Sequence, residues 1–189
     1  MPKAAISLLT IVLSLASSPT ISQVETPADI TTLSIEQLTQ KAKNGDLAAE
    51  LRLADKLYKG EGTKKNLPEA AKLYTHLANE GFMQAQIALG LMNIKGEGVE
   101  KNDKKAVELF LLAAEQKSSL AQYLLGVAHE GGHGVDSDNI KAYMWYEVAA
   151  AMNYTNAIDA QKALAPKMTS EQIQMAEQMA SDWWLQFHQ

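Results

Sequence analysis

The sequence repeats itself every 36 residues, and this period constrains the fold more than any other feature of the chain. Segment 49–84 agrees with segment 85–120 at 11 of 36 positions, without a gap. Segment 85–120 agrees with segment 121–156 equally well, also at 11 of 36 positions. A repeat of this length indicates one supersecondary unit that stacks on its neighbours, because a single copy has no core of its own.

Each copy has the pattern of a helix, a glycine turn and a second helix. The first half, such as AQIALGLMNIKGEG, has apolar residues at helical spacing and ends at two glycines. Glycine adopts positive φ at the end of a helix without a steric penalty. Asn66, Asn102 and Asp138 occupy equivalent places before the second half and are predicted to cap it. The recurrent alanines are predicted to lie where the paired helices cross closely. The pattern predicts an all-α fold, an α/α superhelix of helix–turn–helix repeats.

Partial units are predicted at both ends of the three full units. Residues 34–44 match the second helix of a leading unit, and the last helix of the chain is expected to cap the open end of the stack. Both of these helices begin with the spacing of a capping box, at Ser34 and Gln37 and at Thr169 and Gln172. The repeat domain is therefore expected to cover residues 34–189.

The first residues have the pattern of a secretory signal. Lys3 precedes an apolar run from Ala4 to Ala16, and small residues follow. Residues 1–22 are therefore predicted to be a signal peptide, cleaved after Ala16 or Ser22, with 23–33 as a flexible linker. An uncleaved anchor is the alternative, although the run is short for a membrane span. We expect a periplasmic or secreted protein without stable membrane insertion after cleavage.

Composition excludes several classes of function. The chain has no cysteine, which excludes disulfides, thiol catalysis, thiolate metal sites and a bacterial lipoprotein anchor. Its net charge is -5, and lysines alternate with acidic residues without forming a basic stripe. Nucleic acid is therefore not an expected partner, and no cofactor is expected.

One short segment, VAHEGGHG, matches the H-E-x-x-H signature of zinc peptidases. In that signature, His129 and His133 would bind zinc from one face of a helix, and Glu130 would act as general base. The repeat register opposes this interpretation, because Gly132 aligns with the turn glycines Gly60 and Gly96. A third ligand is also missing. No catalytic residue is predicted, and the two histidines remain only weak candidates for metal binding.

The recurring motifs resemble those of the Sel1-like repeat family, which is related to tetratricopeptide repeats. They include Leu89-Gly90, Gly96-Glu97-Gly98-Val99, Lys105-Ala106 and Ala113-Ala114, with counterparts in the next unit. The resemblance covers about residues 34–186 and implies a superhelix that binds other proteins. Thr63 departs from the valine of the other units. Some cysteine-rich secreted members are linked to β-lactam binding or hydrolysis, but this chain lacks their cysteine framework.

Together, these patterns favour a non-enzymatic scaffold of the cell envelope that binds a protein or peptide. By analogy with related superhelices, the first helices line a concave groove. The residues expected to face this groove are Arg52, Asp55, Leu91, Tyr123 and Val127; the alternative for each is plain core packing. The alternative function is an envelope hydrolase, either zinc-dependent through His129 and His133 or β-lactam-linked. A factor exported further, for host contact, is a third possibility.

Overall fold

The computed structural model describes residue 30 and residues 32–187. These residues form nine α-helices and no strand. The predicted signal peptide, with its cleavage sites after Ala16 and Ser22, lies outside the described residues, as does most of the predicted linker. The all-α architecture of stacked helix pairs is confirmed.

The helices follow one another as antiparallel pairs joined by short turns. In chain order they are α1 (Ile35–Lys43), α2 (Leu47–Lys59), α3 (Leu67–Asn79), α4 (Met83–Lys95), α5 (Asp103–Glu115), α6 (Ser119–Gly131), α7 (Asn139–Ala151), α8 (Thr155–Leu164) and α9 (Ser170–Phe187), with a 3-10 turn at Ala165–Lys167 before α9. The full units are the pairs α2–α3, α4–α5 and α6–α7. Each pair begins about two residues before the segments compared above, because a period defines the spacing of units and not their phase.

Side-chain caps start the second helix of every full unit, as predicted. The backbone N–H groups of Glu69 and Lys105 donate to the side chains of Asn66 and Asn102 at 3.2 and 2.9 Å. Asp138 accepts from two backbone N–H groups, at 3.0 and 3.1 Å. Each cap satisfies N–H groups that have no partner within the helix. The capping boxes at Ser34 and Thr169 are also present.

The second glycine of each turn determines how closely consecutive units stack. A Cβ atom on Gly134 would lie 2.3 Å from the carbonyl oxygen of Asp103, and one on Gly98 would lie 2.3 Å from that of Leu67. Both contacts join a turn to the first residue of the preceding unit's second helix. Gly62 is the equivalent residue of the first unit, and a Cβ there would meet nothing within 4 Å. The close contact therefore arises only where a full unit precedes.

Within a unit, the closest crossing of the two helices lies at a glycine of the first helix. A Cβ on Gly126 would lie 2.3 Å from the ring of Tyr146, and a Cβ on Gly90 would lie 2.4 Å from the ring of Phe110. The repeated alanines line the crossing, and most are fully buried. The prediction that small residues allow the close crossing therefore holds, but glycine rather than alanine makes the tightest contact in two of the units.

Buried glutamines connect consecutive units through the backbone. Nε2 of Gln86 donates to the carbonyl oxygen of Ala78 at 3.3 Å, and Nε2 of Gln122 donates to that of Ala114 at 3.4 Å. Both carbonyls belong to the last turn of the preceding unit's second helix, where backbone acceptors lack helical partners. The side chains of Gln86 and Gln122 are 3 % and 0 % exposed, so these bonds are made within the core.

The last helix covers the end of the stack by packing on α7. Ala176 and Ala180 of α9 are buried, and the Trp183 ring meets the Trp145 ring edge-on with centroids 4.6 Å apart. The outer side of α9 exposes Met175 and Leu185. The predicted capping helix is thus present, and Trp145 and Trp183 pack against each other beneath it.

We predict that Gly134→Ala destabilises the protein more than Gly62→Ala. Both residues have positive φ, of 78° and 71°, so both substitutions incur a left-handed backbone cost of about 1–2 kcal/mol. Only the new Cβ at position 134 meets backbone atoms, which adds an overpacking cost of about 1–3 kcal/mol. Urea denaturation followed by circular dichroism measures the difference. Equal losses of unfolding free energy would contradict the stacking role of Gly134.

Candidate functional site

The segment that matches the zinc-peptidase signature does not form one continuous helix. Helix α6 ends at Gly131, and Gly132 follows in the left-handed conformation with φ of 69°. The N–H of His133 then donates back to the carbonyl oxygen of Ala128 at 2.9 Å, as in a Schellman turn. His133 therefore lies in the turn and not one helical turn after His129 on the same face.

The two histidines line different cavities. His129 lines an apolar cavity of about 360 Å³ beneath α9, together with Met144, Trp145 and Met179. It also borders an open polar cleft next to the turn. His133 borders a separate cavity between the second and third units. Within the described part of the chain, no group of three or more His, Cys, Asp or Glu residues is placed to hold a metal ion.

Glu130, which would be the general base of a peptidase, is bound to two other side chains. Its Oε2 accepts a hydrogen bond from the Tyr146 hydroxyl at 3.0 Å, and its Oε1 contacts Nζ of Lys167 at 3.0 Å. Burial, and then the Glu130 hydrogen bond, raise the pKa of Tyr146 above its ordinary range. Glu130 therefore links the third unit to the end of the stack. The sequence contained no signal for this role, because Glu130 has no acidic counterpart: Tyr58 and Ile94 take its position in the other units.

Three of the five residues predicted to bind a partner occupy one repeat position. Asp55, Leu91 and Val127 are 36 residues apart, each on the first helix of its unit. All three are half-buried. Leu91 and Val127 pack at the edge of the main core cluster. The stacking of the units thus brings these side chains into one row, each partly accessible to solvent.

The polar residues predicted at the start of this surface are held by neighbours. The Tyr74 hydroxyl donates to Oδ1 of Asp55 at 2.6 Å. Burial of Tyr74, together with this bond, raises the pKa of its hydroxyl. Nη2 of Arg52 lies 3.6 Å from a carboxylate oxygen of Glu61. Arg52 and Asp55 are therefore anchored on the first unit.

The aromatic residue predicted for this surface lies at the other end of the stack. The Tyr123 ring packs between those of Tyr146 and Tyr154, with centroids 5.8 and 5.5 Å away. Tyr123 is half-buried in this cluster. Its position, and those of the other predicted residues, are compatible either with a docking surface or with the edge of the core.

A further cavity, of about 290 Å³, lies between the second and third units and was not predicted from the sequence. Its walls are apolar and its rim is polar. It is lined by Ile94, Lys101, Asp103, Val107, Phe110, Leu124, Val127, Ala128 and His133. Val127 thus belongs both to the predicted surface and to this cavity.

The sequence pattern of the Sel1 repeat matches residues 47–82, 84–118 and 119–154, which together make up more than half of the chain. The chain belongs to the Sel1 repeat family. The three matched segments coincide with the three full helix pairs. No curated protein matches the sequence.

Solved structures with the same fold support this assignment. A protective antigen of uropathogenic Escherichia coli strains, which displays an SLR fold, superposes with a TM-score of 0.74 at 28% identity. That match covers 81% of this chain and 33% of the antigen, so this chain spans about a third of the antigen's length. A Sel1 repeat protein from Oxalobacter formigenes superposes with a TM-score of 0.61 at 32% identity, covering 68% of this chain and 97% of that one.

The Sel1 repeat fold suggests protein–protein interaction as the general role of these repeats. Sel1 repeats typically form a scaffold without catalytic activity that mediates protein–protein interaction. None of the described helices is long and apolar enough to cross a membrane.

Burial of His129 predicts a pH-dependent contribution to stability. Its Nδ1 is buried and has no hydrogen-bond partner within the described residues. Burial is the main cause that lowers the pKa of this imidazole; Lys141 adds to it, while Asp138 and a backbone hydrogen bond at Asp136 oppose it. Because the folded protein binds the proton more weakly than the unfolded chain does, protonation favours unfolding.

We therefore expect the wild type to lose unfolding free energy relative to His129→Asn as the pH falls from about 7 to about 5, through the ordinary histidine pKa of about 6.5. Asparagine is the natural residue at the equivalent position of the second unit, Asn93, where it is buried. Urea denaturation at several pH values measures this difference. A difference that stays constant over that range would contradict the lowered pKa.

Proposed function

We propose that this chain is a non-enzymatic scaffold of the bacterial cell envelope and that it binds a protein or peptide through the first helices of its units. The observation that carries the proposal is the row of Asp55, Leu91 and Val127. The same position on three consecutive first helices remains half-buried, although the helices pack on both sides. A surface that recurs at the spacing of the units suits an extended peptide or a partner helix.

The chemistry of this row changes along the stack. The first unit presents the ion pair of Arg52 with Glu61 and the carboxylate of Asp55. The second and third units present the aliphatic side chains of Leu91 and Val127. The cluster of Tyr123 borders the far end. This order favours a partner segment that is polar at one end and apolar over the rest.

No observation favours the hydrolase alternative. His129 and His133 line different cavities, and both carboxylate oxygens of Glu130 contact other side chains. The cysteine framework of the β-lactam-linked relatives is absent from the sequence. The proposed scaffold role does not require His129, His133 or Glu130 to act as catalytic groups.

Partner binding is tested by site-specific photocrosslinking in the cell. We expect p-benzoylphenylalanine at Leu91 or Tyr123 to give a discrete adduct, because these positions lie on the proposed surface. The matched control is Leu112 on α5, which is 46% exposed and lies on the second helix of its unit. Adducts of the same size and yield from Leu112 would overturn the assignment of the surface, and so would the absence of any adduct at Leu91 and Tyr123.

The envelope location rests on the predicted signal peptide. We expect the mature protein in the periplasmic fraction, with an N-terminus at residue 17 or 23. Replacing Leu9 and Val12 with aspartate breaks the apolar run and should leave an uncleaved protein in the cytoplasm. Fractionation followed by mass spectrometry of the intact protein measures both. Wild-type protein that is uncleaved and cytoplasmic would refute this location.

A further inference from the structure

The cavity between the second and third units has a filled counterpart between the first and second units. Shifting its lining residues by one repeat places Tyr58 at the position of Ile94 and Met92 at that of Ala128. Lys65 and Glu97 take the positions of Lys101 and His133. The two interfaces share one backbone arrangement, so the first shows which groups can occupy the corresponding space in the second.

In the first interface, that space is filled by a tyrosine of the chain itself. The Tyr58 hydroxyl donates to Oε2 of Glu97 in the next unit at 2.7 Å. Nζ of Lys65 lies 5.4 Å from the centre of the Tyr58 ring, a distance at which a cation attracts an aromatic face. Met92 is 1% exposed beside them. The phenol ring is thus held by an apolar wall, a cation and a hydrogen-bond acceptor.

The second interface keeps the lysine but changes the other polar positions, because Asp103 and His133 stand where the first interface has Leu67 and Glu97. Ile94 and Ala128 are smaller than Tyr58 and Met92, whereas Leu124 and Val107 are larger than Ala88 and Ala71. A cavity of about 290 Å³ lies among these residues. Lys101 remains at the rim, 3.5 Å from Oδ2 of Asp103. The other carboxylate oxygen of Asp103 is buried and accepts no hydrogen bond within the described residues. That oxygen is closed off from solvent, so Lys101 and His133 are the polar groups that a molecule in the cavity can reach.

A second difference between the units places the His133 side chain at this cavity. A Cβ on Gly131 would lie 2.4 Å from Nε2 of His133, so the imidazole folds against the glycine. The equivalent residues of the other units are Lys59 and Lys95. A side chain at position 131 would push the ring away. The glycine and the histidine therefore act together to place a polar ring where Glu97 lies in the first interface.

We propose that this cavity binds the phenol ring of a tyrosine side chain from a partner protein. The ring occupies the space that Tyr58 fills in the first interface, between the apolar wall of Ile94 and Val127 and the ammonium group of Lys101. Its hydroxyl lies next to His133, which takes the repeat position of Glu97, the acceptor of the Tyr58 hydroxyl. This inference rests on the proposed function, since Val127 belongs to the partner-binding surface.

The chain itself supplies no such ring. All six of its tyrosines lie within the described residues, where three are buried and three are half-buried against the chain's own core. Residues 1–29 contain no aromatic residue, and neither do residues 188–189 apart from the imidazole of His188. A second copy or the N-terminal segment is therefore a poor source of the ring, and a different protein is the source we infer.

Titration with 4-methylphenol, the side-chain analogue of tyrosine, tests the cavity without a partner. We expect saturable shifts in the amide NMR signals of Ile94, Val127 and Ala128. Toluene lacks the hydroxyl and should bind at least roughly fivefold more weakly, the factor expected for one hydrogen bond. N-acetyl-tyrosinamide should cause shifts of the same signals. The absence of saturable shifts, or equal binding of toluene, would overturn the proposal.

Variants that fill the cavity provide the control. The double substitution Ile94→Tyr and His133→Glu recreates the first interface, and it should raise the melting temperature and abolish the shifts. Ala128→Met places the counterpart of Met92 in the cavity and serves if the double variant does not fold. Leu112→Met adds the same side chain on an exposed part of α5 and should leave binding unchanged. Undiminished binding in Ala128→Met would refute the location of the site.

The outcomes also separate this proposal from the proposed function. If 4-methylphenol binds but N-acetyl-tyrosinamide does not, the cavity accepts a free phenol and the tyrosine proposal fails. If both bind while photocrosslinking at Leu91 and Tyr123 gives no adduct, the cavity stands and the partner-binding surface fails. If the surface gives adducts and neither phenol binds, the partner docks there without a tyrosine in this cavity.

Discussion

The close approach of a turn glycine to the backbone of the preceding unit is the contact on which the rest of the structure depends. At Gly134 and Gly98, a carbonyl oxygen occupies the space that a Cβ would take. Each of these contacts brings a turn against the N-terminus of the previous unit's second helix. The glutamines of the next first helix also donate to carbonyls in the last turn of the previous unit's second helix. This spacing between the backbones of consecutive units determines how the units stack and therefore where their side chains meet.

Because the backbone spacing is the same at each interface, the side chains between units are free to differ. Between the first two units they form a filled contact around Tyr58 and Glu97. Between the next two, Ile94 and Ala128 take the places of Tyr58 and Met92, and a cavity lies beside Lys101 and His133. This difference between equivalent interfaces is a stronger indication of binding than either interface would be alone.

Much of the fold could be predicted because its determinants recur at one period. The turn glycines, the caps at Asn66, Asn102 and Asp138, and the capping box at Ser34 are local signals, and each is repeated or has a known spacing. The contact of Tyr146 with Gly126, the bonds of Glu130 and the cavity could not be predicted in this way. These contacts join residues of different helices or units that are not 36 residues apart. Aligning the sequence with itself at a shift of 36 residues therefore does not reveal them. The shared repeat position of Asp55, Leu91 and Val127 could be predicted, but the extent to which their side chains are exposed could not.

The segment VAHEGGHG illustrates how a repeat changes the interpretation of a local motif. In a continuous helix, its two histidines would face one metal ion. Here the left-handed Gly132 ends the helix between them, and Gly131 leaves room for His133 to fold back. The residues that break the zinc pattern are therefore the ones that bring the imidazole to the neighbouring cavity. The glycine pair and His133 distinguish this unit from the other two. We therefore expect any binding role of this turn at the interface between the second and third units.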